Sequence, residues 1–111
     1  MTNPTVAQIQ YDVGDARNIT NGTTAISSLL TKSQVSIRGI TGTTVGYDNA
    51  IRDLADAFVV MAVLGGLGPE TVGRNELVSQ RDKFLEETER ELKIKGYAFD
   101  GRSVRFKAVN Q

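Results

Sequence analysis

Two of the most versatile side chains in protein chemistry are missing from this chain. It has no cysteine and no histidine. Without cysteine there is no disulfide framework and no thiol chemistry. Without histidine the usual general base and the commonest metal ligand are gone. Charge of one sign is lacking too, since 13 basic residues balance 13 acidic ones. A dedicated nucleic-acid binder normally carries a basic excess, whereas a neutral chain has little self-repulsion and suits life in an assembly. No long hydrophobic run is present. The most apolar stretch, Ala55 to Gly68, is interrupted by Asp56 and rich in glycine at its end. It is shorter than the roughly 20 residues of a membrane span and reads as a buried helix. No signal peptide is expected, because Met1-Thr2-Asn3-Pro4-Thr5 has neither a basic region nor an apolar stretch behind it.

What is present fits one small domain of 111 residues, with a single core. Its halves differ: residues 1–46 hold 13 of the 17 serines and threonines but 5 of the 26 charges. A segment of that size does not easily build its own core, so the contrast reads as one uneven helical domain over residues 1–96. A distinct tail, 97–111, follows it.

The spacing predicts helices. Pro4 suits a first helical position behind a Thr2 or Asn3 cap, and Val6, Ile9 and Val13 continue to about Tyr11, with an end by Gly14. Asn18 to Gly22 reads as a turn. Thr23 or Thr24 then caps a helix carrying Ile26, Leu29, Leu30, Ser33, Ile37 and Ile40 at intervals of three and four. That helix is expected to end near Arg38-Gly39, leaving residues 39–46 as a flexible loop. Asp48 reads as the cap of a third helix whose stripe is Ile51, Leu54, Ala55, Phe58, Val59 and Ala62. Arg52, Asp53 and Asp56 fall on the other side of it. Gly65-Gly66-Leu67-Gly68-Pro69 stops this helix. The last helix begins between Glu70 and Asn75 and runs to Lys95, with Leu77, Phe84, Leu85, Thr88 and Leu92 as its apolar face. Glu86/Arg90, Glu89/Lys93 and Glu91/Lys95 stand in the favoured acid-first order at i and i+4. Gly96 is the expected C-terminal cap.

Only the tail reads as β-structure. Asp100-Gly101 is a two-residue turn signal. Beyond it Val104, Phe106 and Ala108 alternate with Arg105, Lys107 and Val109. A lone ribbon is marginal in water and invites pairing with another chain. The fold expected is therefore mainly α: a small bundle of three to four helices with an extended, β-like C-terminal tail.

Chemistry is thinly written. Gly65-Gly66-Leu67-Gly68 before a helix suggests a phosphate cradle, but no strand precedes it and no Gly-Lys-Ser/Thr follows, so a plain interhelix turn is preferred. Asp48, Asp53 and Asp56 suggest a metal cluster, yet no imidazole completes it and no calcium-loop pattern is present. A cap plus a solvated face is the preferred reading. Glu86, Glu87, Glu89 and Glu91 lie among lysines and arginine, and read as a solvated face or a subunit contact rather than a catalytic pair. No catalytic, cofactor-binding or metal-binding residue is expected. The tail set Tyr97, Phe99, Arg102, Val104, Arg105, Phe106 and Lys107 reads instead as a docking element, its apolar residues entering pockets and its cations meeting an acidic rim.

The order of these parts resembles the head–tail connector (adaptor) proteins of long-tailed bacteriophages. The features are the short N-terminal helix Pro4–Tyr11, the helix around Ile26–Ile37, the apolar helix Asp48-Asn49-Ala50-Ile51-Arg52-Asp53-Leu54-Ala55, and the Gly-Pro break. The charged helix Asp82-Lys83-Phe84-Leu85-Glu86 and the extended tail follow. The Thr/Gly-rich loop 39–46 and Gly73 depart from that layout. The resemblance implies a structural virion protein with no enzymatic activity and no cofactor. It implies a homo-oligomeric, dodecameric ring under the portal that extends the DNA channel and offers an attachment surface to the stopper or tail. DNA would pass through without specific binding, and no membrane is involved. The protein would be made in the host cytoplasm and reside in the virion neck. The tail from Tyr97 would grip the portal, Glu86, Glu89, Arg90 and Lys93 would meet a neighbouring subunit, and loop 39–46 would face the channel or the next ring. The competing expectation from the residues alone is a small helical regulator or interaction module that dimerises through its helices.

Overall fold

The computed structural model describes residues 4–13, 23–65 and 74–97. These form four helices: α1 (Val6–Val13), α2 (Thr23–Thr41), α3 (Asp48–Gly65) and α4 (Arg74–Ile94). Among the described residues there is no strand, and no helix is long and apolar enough to cross a membrane. The turn at 18–22, the capping side chains of Thr23 and Thr24, Gly66 to Pro69, Gly73, and the Asp100-Gly101 turn signal and docking residues within 98–111 lie outside the described residues.

α1 starts later than its proline suggests. Thr5, not a residue before Pro4, is the cap: its hydroxyl accepts from the Gln8 N–H at 3.3 Å, and the Gln8 side chain accepts from the Thr5 N–H at 3.0 Å. This reciprocal pair satisfies two donors that a helix start would otherwise strand. Pro4 is the buried residue just outside, and the helix continues to Val13 instead of stopping at Tyr11.

α2 runs through Gly39 to Thr41, past its expected end. The left-handed turn falls at Gly42, with φ at 84°, where its N–H donates to the Arg38 carbonyl at 2.8 Å. Only glycine adopts that conformation without strain. The connection that follows is stitched together by threonines. The Thr41 hydroxyl donates to the Thr43 carbonyl at 2.6 Å, the Thr43 hydroxyl accepts from the Val45 N–H at 3.1 Å, and the Thr44 carbonyl accepts from the Tyr47 N–H at 3.3 Å.

α3 is the centre of the bundle and packs against each of the other three helices. Its first backbone bond runs from the Ile51 N–H to the Tyr47 carbonyl at 2.9 Å, so Asp48 is the first helical residue rather than the cap. The stripe Ile51, Leu54, Ala55, Phe58 and Val59 is buried as its spacing predicts, and Ala57, Val60, Val63 and Leu64 are buried as well. Each such large aliphatic side chain contributes roughly 1.5–3 kcal/mol by leaving water. Two residues depart from the pattern. Ala62 is exposed, and Asp56, expected on a solvated face, is fully buried. The reason for the second is that α1 packs against α3 as well as α2 and α4 do, so the flank bearing Asp56 meets α1, whose Asp12 is held by Arg52, instead of solvent.

α4 lays Leu85, Thr88 and Leu92 on α3, with Leu77 and Phe84 partly covered. The buried Thr88 hydroxyl donates to the Phe84 carbonyl at 2.9 Å, and Ser33 of α2 does the same to Leu30 at 2.7 Å. Both hydroxyls therefore enter the core already satisfied. Arg74 donates to the Leu64 carbonyl at 3.3 Å, placing a cation at the C-terminal end of α3. α4 closes with Gly96 at φ 91°, its N–H bonded to the Lys93 carbonyl at 3.0 Å and the Tyr97 N–H bonded to the Leu92 carbonyl at 2.9 Å. That pair of crossed bonds is the Schellman closure, and it turns Tyr97 back onto the core.

Candidate functional site

Two places in the bundle combine unusual chemistry with a defined geometry. The first is the far end of α4. Tyr97 stacks edge-on against Tyr47, with ring centroids 6.2 Å apart, and the Lys95 ammonium lies 5.0 Å from the Tyr47 ring centre. Desolvation first, and then the neighbouring Tyr97 hydroxyl, push the Tyr47 phenol above its usual value. Val45, two residues before Tyr47, and Ile94, three before Tyr97, are large apolar side chains left 78% and 73% exposed. Tyr97 is thus anchored in the helical domain at the point where the chain enters its last residues. The other members of the expected docking set, Phe99, Arg102, Val104, Arg105, Phe106 and Lys107, lie outside the described residues.

Glu86, Glu89, Arg90 and Lys93 all face outward on α4. Their spacing places them in one stripe that flanks the buried face of Leu85, Thr88 and Leu92. Within it Arg90 pairs with Glu87 at 2.8 Å rather than with Glu86, and Lys95 lies on Tyr47 instead of pairing along the helix with Glu91. The Arg90–Glu87 pair is exposed enough that its contribution is about 0–1 kcal/mol. The stripe is a charged, solvated surface, suited to contact with a complementary surface.

The second place lies between α1 and α3. Arg52 donates to both oxygens of Asp12, from Nε and from a terminal nitrogen, each at 2.6 Å. This is the two-pronged geometry in which a guanidinium binds a carboxylate most strongly. Next to it sits Asp56, 1% exposed, with neither carboxyl oxygen receiving a hydrogen bond from a protein donor. Its neighbour within hydrogen-bonding reach is the Asp12 carboxylate. Burial above all, then the hydrogen bond and charge of Asp12 and the charge of Asp53, push the Asp56 carboxyl up to about 10, against a weaker pull from Arg52. Burial also acts to raise Asp12, but the Arg52 hydrogen bonds, the Asp56 hydrogen bond and the Arg52 charge outweigh it and leave Asp12 below the usual carboxylate range. Asp53 is raised to about 6 by burial and by Glu87, Asp12 and Glu91, with Arg52 opposing.

Asp48, Asp53 and Asp56 are therefore not one cluster. The structure joins Asp53 and Asp56 to Asp12 and Arg52, and no group of three or more metal-ligand side chains suited to an ion occurs among the described residues. Sequence reasoning does not reach Asp12 or Tyr47, and it places Arg52 and Lys95 only on helix surfaces, Lys95 as a partner of Glu91. The one available signal is that Arg52 and Asp56 are four apart on α3, the spacing that puts a cation and an acid side by side on one helix. Comparison with protein-family models, with curated proteins and with solved structures finds no match for this chain.

Proposed function

We propose that the chain is a structural adaptor of the head–tail connector kind, a subunit of a dodecameric ring between a phage portal and its stopper or tail. The feature that supports this most is the sequence after Tyr97, where Phe99, Arg102, Val104, Arg105, Phe106 and Lys107 form a basic-aromatic set suited to strand addition onto a partner, the portal. Tyr97 itself packs at the margin of the helical core. The outward stripe Glu86, Glu89, Arg90 and Lys93 meets the neighbouring subunit, and the Val45/Ile94 surface lies beside the point where the docking sequence departs. Net neutrality, 13 basic against 13 acidic residues, suits a channel that lets DNA pass without holding it. In this reading the protein works in the virion neck, after synthesis in the host cytoplasm, and performs no catalysis.

Removal of residues 102–111 tests the assignment. The shortened chain is expected to keep the helical circular dichroism of the full chain and to lose co-sedimentation with portal rings. A shortened chain that unfolds, or that still binds the rings, overturns the docking role of the tail.

A further inference from the structure

The Asp12–Arg52–Asp56 group ties two helices together by a means that a neutral core would not need. α1 has eight residues, too few to persist as a helix without tertiary contacts. Its attachments are Ile9, fully buried against the rest of the core, with Val6 and Val13 at the margin, and the Asp12 carboxylate held by Arg52 of α3. Asp56 completes that attachment from beneath. A carboxylate shut off from water with no donor on either oxygen is too costly to persist as an anion. Arg52 is committed to Asp12, whose two oxygens take both prongs of its fork. Each Asp12 oxygen still has an unused lone pair. Two carboxyl groups in hydrogen-bonding reach, both acceptors when ionised, are joined only if one of them keeps a proton.

We propose that Asp12 and Asp56 share one proton, and that this proton latches α1 onto α3 so that the N-terminal helix is released when the proton leaves. Loss of the proton places two anions side by side against one guanidinium, and the group that can move away is the short helix carrying Asp12. The charges facing the pair are consistent with this direction. From α3 come Arg52, already engaged, and Asp53; from α4, Glu87 and Glu91 lie against Asp53 and add negative charge beyond it. From α2, Lys32 is engaged over the Phe58 ring, 5.2 Å from its centre. Among the described residues no second cation is recorded acting on Asp56. The latch is closed from acid to neutral pH and opens in alkali.

Carboxyl-carbon NMR of the aspartate-labelled chain, followed through a pH titration with the Ile9 and Leu92 methyl signals recorded in the same samples, tests the latch. One Asp carboxyl, assigned to Asp56 by its loss in D56N, is expected to remain in the acid form at neutral pH and to titrate near 10 rather than near 3.8. The Ile9 methyl should move to an exposed position in that same step, while the Leu92 methyl of α4 stays packed. In D56N, whose amide keeps a donor toward Asp12 at every pH, Ile9 should stay packed through that range. Full ionisation of every Asp at neutral pH overturns the proposal. So does a high titration that leaves Ile9 unmoved, or one that moves Ile9 and Leu92 together, since the charge would then unfold the whole bundle. If D56N does not fold, the high-titrating carboxyl is assigned in the wild type by its through-bond correlation to the Asp56 backbone amide, and the wild-type titration decides the matter.

Discussion

Phe58 and Asp56 sit two residues apart on α3 and are both buried, yet they stand in opposite relations to the core. Phe58 is an apolar anchor, with Lys32 lying over its ring. Replacing it with aspartate removes the ring and leaves an unpaired charge inside, so Phe58→Asp is expected to cost more than about 4 kcal/mol and unfold the domain. Circular dichroism checks this, and a soluble, fully helical variant would contradict the core assignment. Asp56, with no donor on either oxygen, is tolerated at neutral pH in the proposed latch by keeping its proton. Phe58 is legible in the sequence, since it continues the three-and-four spacing of Ile51, Leu54 and Ala55. The surroundings of Asp56 are not legible. A lone acid beside an apolar stripe reads as the solvated edge of a helix, and its partners Asp12 and Arg52, 40 positions apart in sequence, are brought together by folding alone.

The elements show why boundaries are harder to read than faces. The apolar face of α4 follows from the recurrence of Leu85, Thr88 and Leu92, and its end at Gly96 follows from the one residue that takes φ 91° without strain. In α2 the same reasoning picks the wrong glycine. Gly39 and Gly42 are equally good stops in sequence, and the choice of Gly42 depends on Ile40 and Thr41 still packing or bonding within the helix. For α1, proline draws attention to itself, while the decisive signal is the Thr5-x-x-Gln8 pairing. Ile9 is the fully buried residue of this helix. Ile9→Ala is expected to cost about 2–5 kcal/mol by the cavity it leaves. Hydrogen exchange should locate the loss: α1 amides should lose protection first, whereas equal losses in α1 and α4 would show that α1 is not a separable attachment.

For the whole molecule the buried carboxyls set how stability follows pH. Unfolded, Asp53 and Asp56 lose their protons near 3.8; folded, they hold them to about 6 and about 10. Both therefore stabilise the fold most at low pH, and that stabilisation is lost as pH rises, from Asp53 by about 6 and from Asp56 across the range up to about 10. Asp12 acts oppositely, but only below the ordinary carboxylate range, where its bond to Arg52 fails. At about 1.4 kcal/mol per pH unit for each proton taken up on folding, Asp56 alone lowers stability by about 4 kcal/mol between pH 5 and pH 8. Urea melts at those two pH values check it, and equal midpoints would contradict the buried-acid account.

At this same scale lies the central claim, that the bundle is a ring subunit whose last residues belong to another protein. Electron microscopy of native particles, or of the chain mixed with portal rings, tests it most directly. The account predicts a ring of this protein between portal and tail, with residues 97–111 ordered against a neighbour and α4's outward stripe at the subunit boundary. A free monomer or dimer that forms no ring with the portal would contradict it.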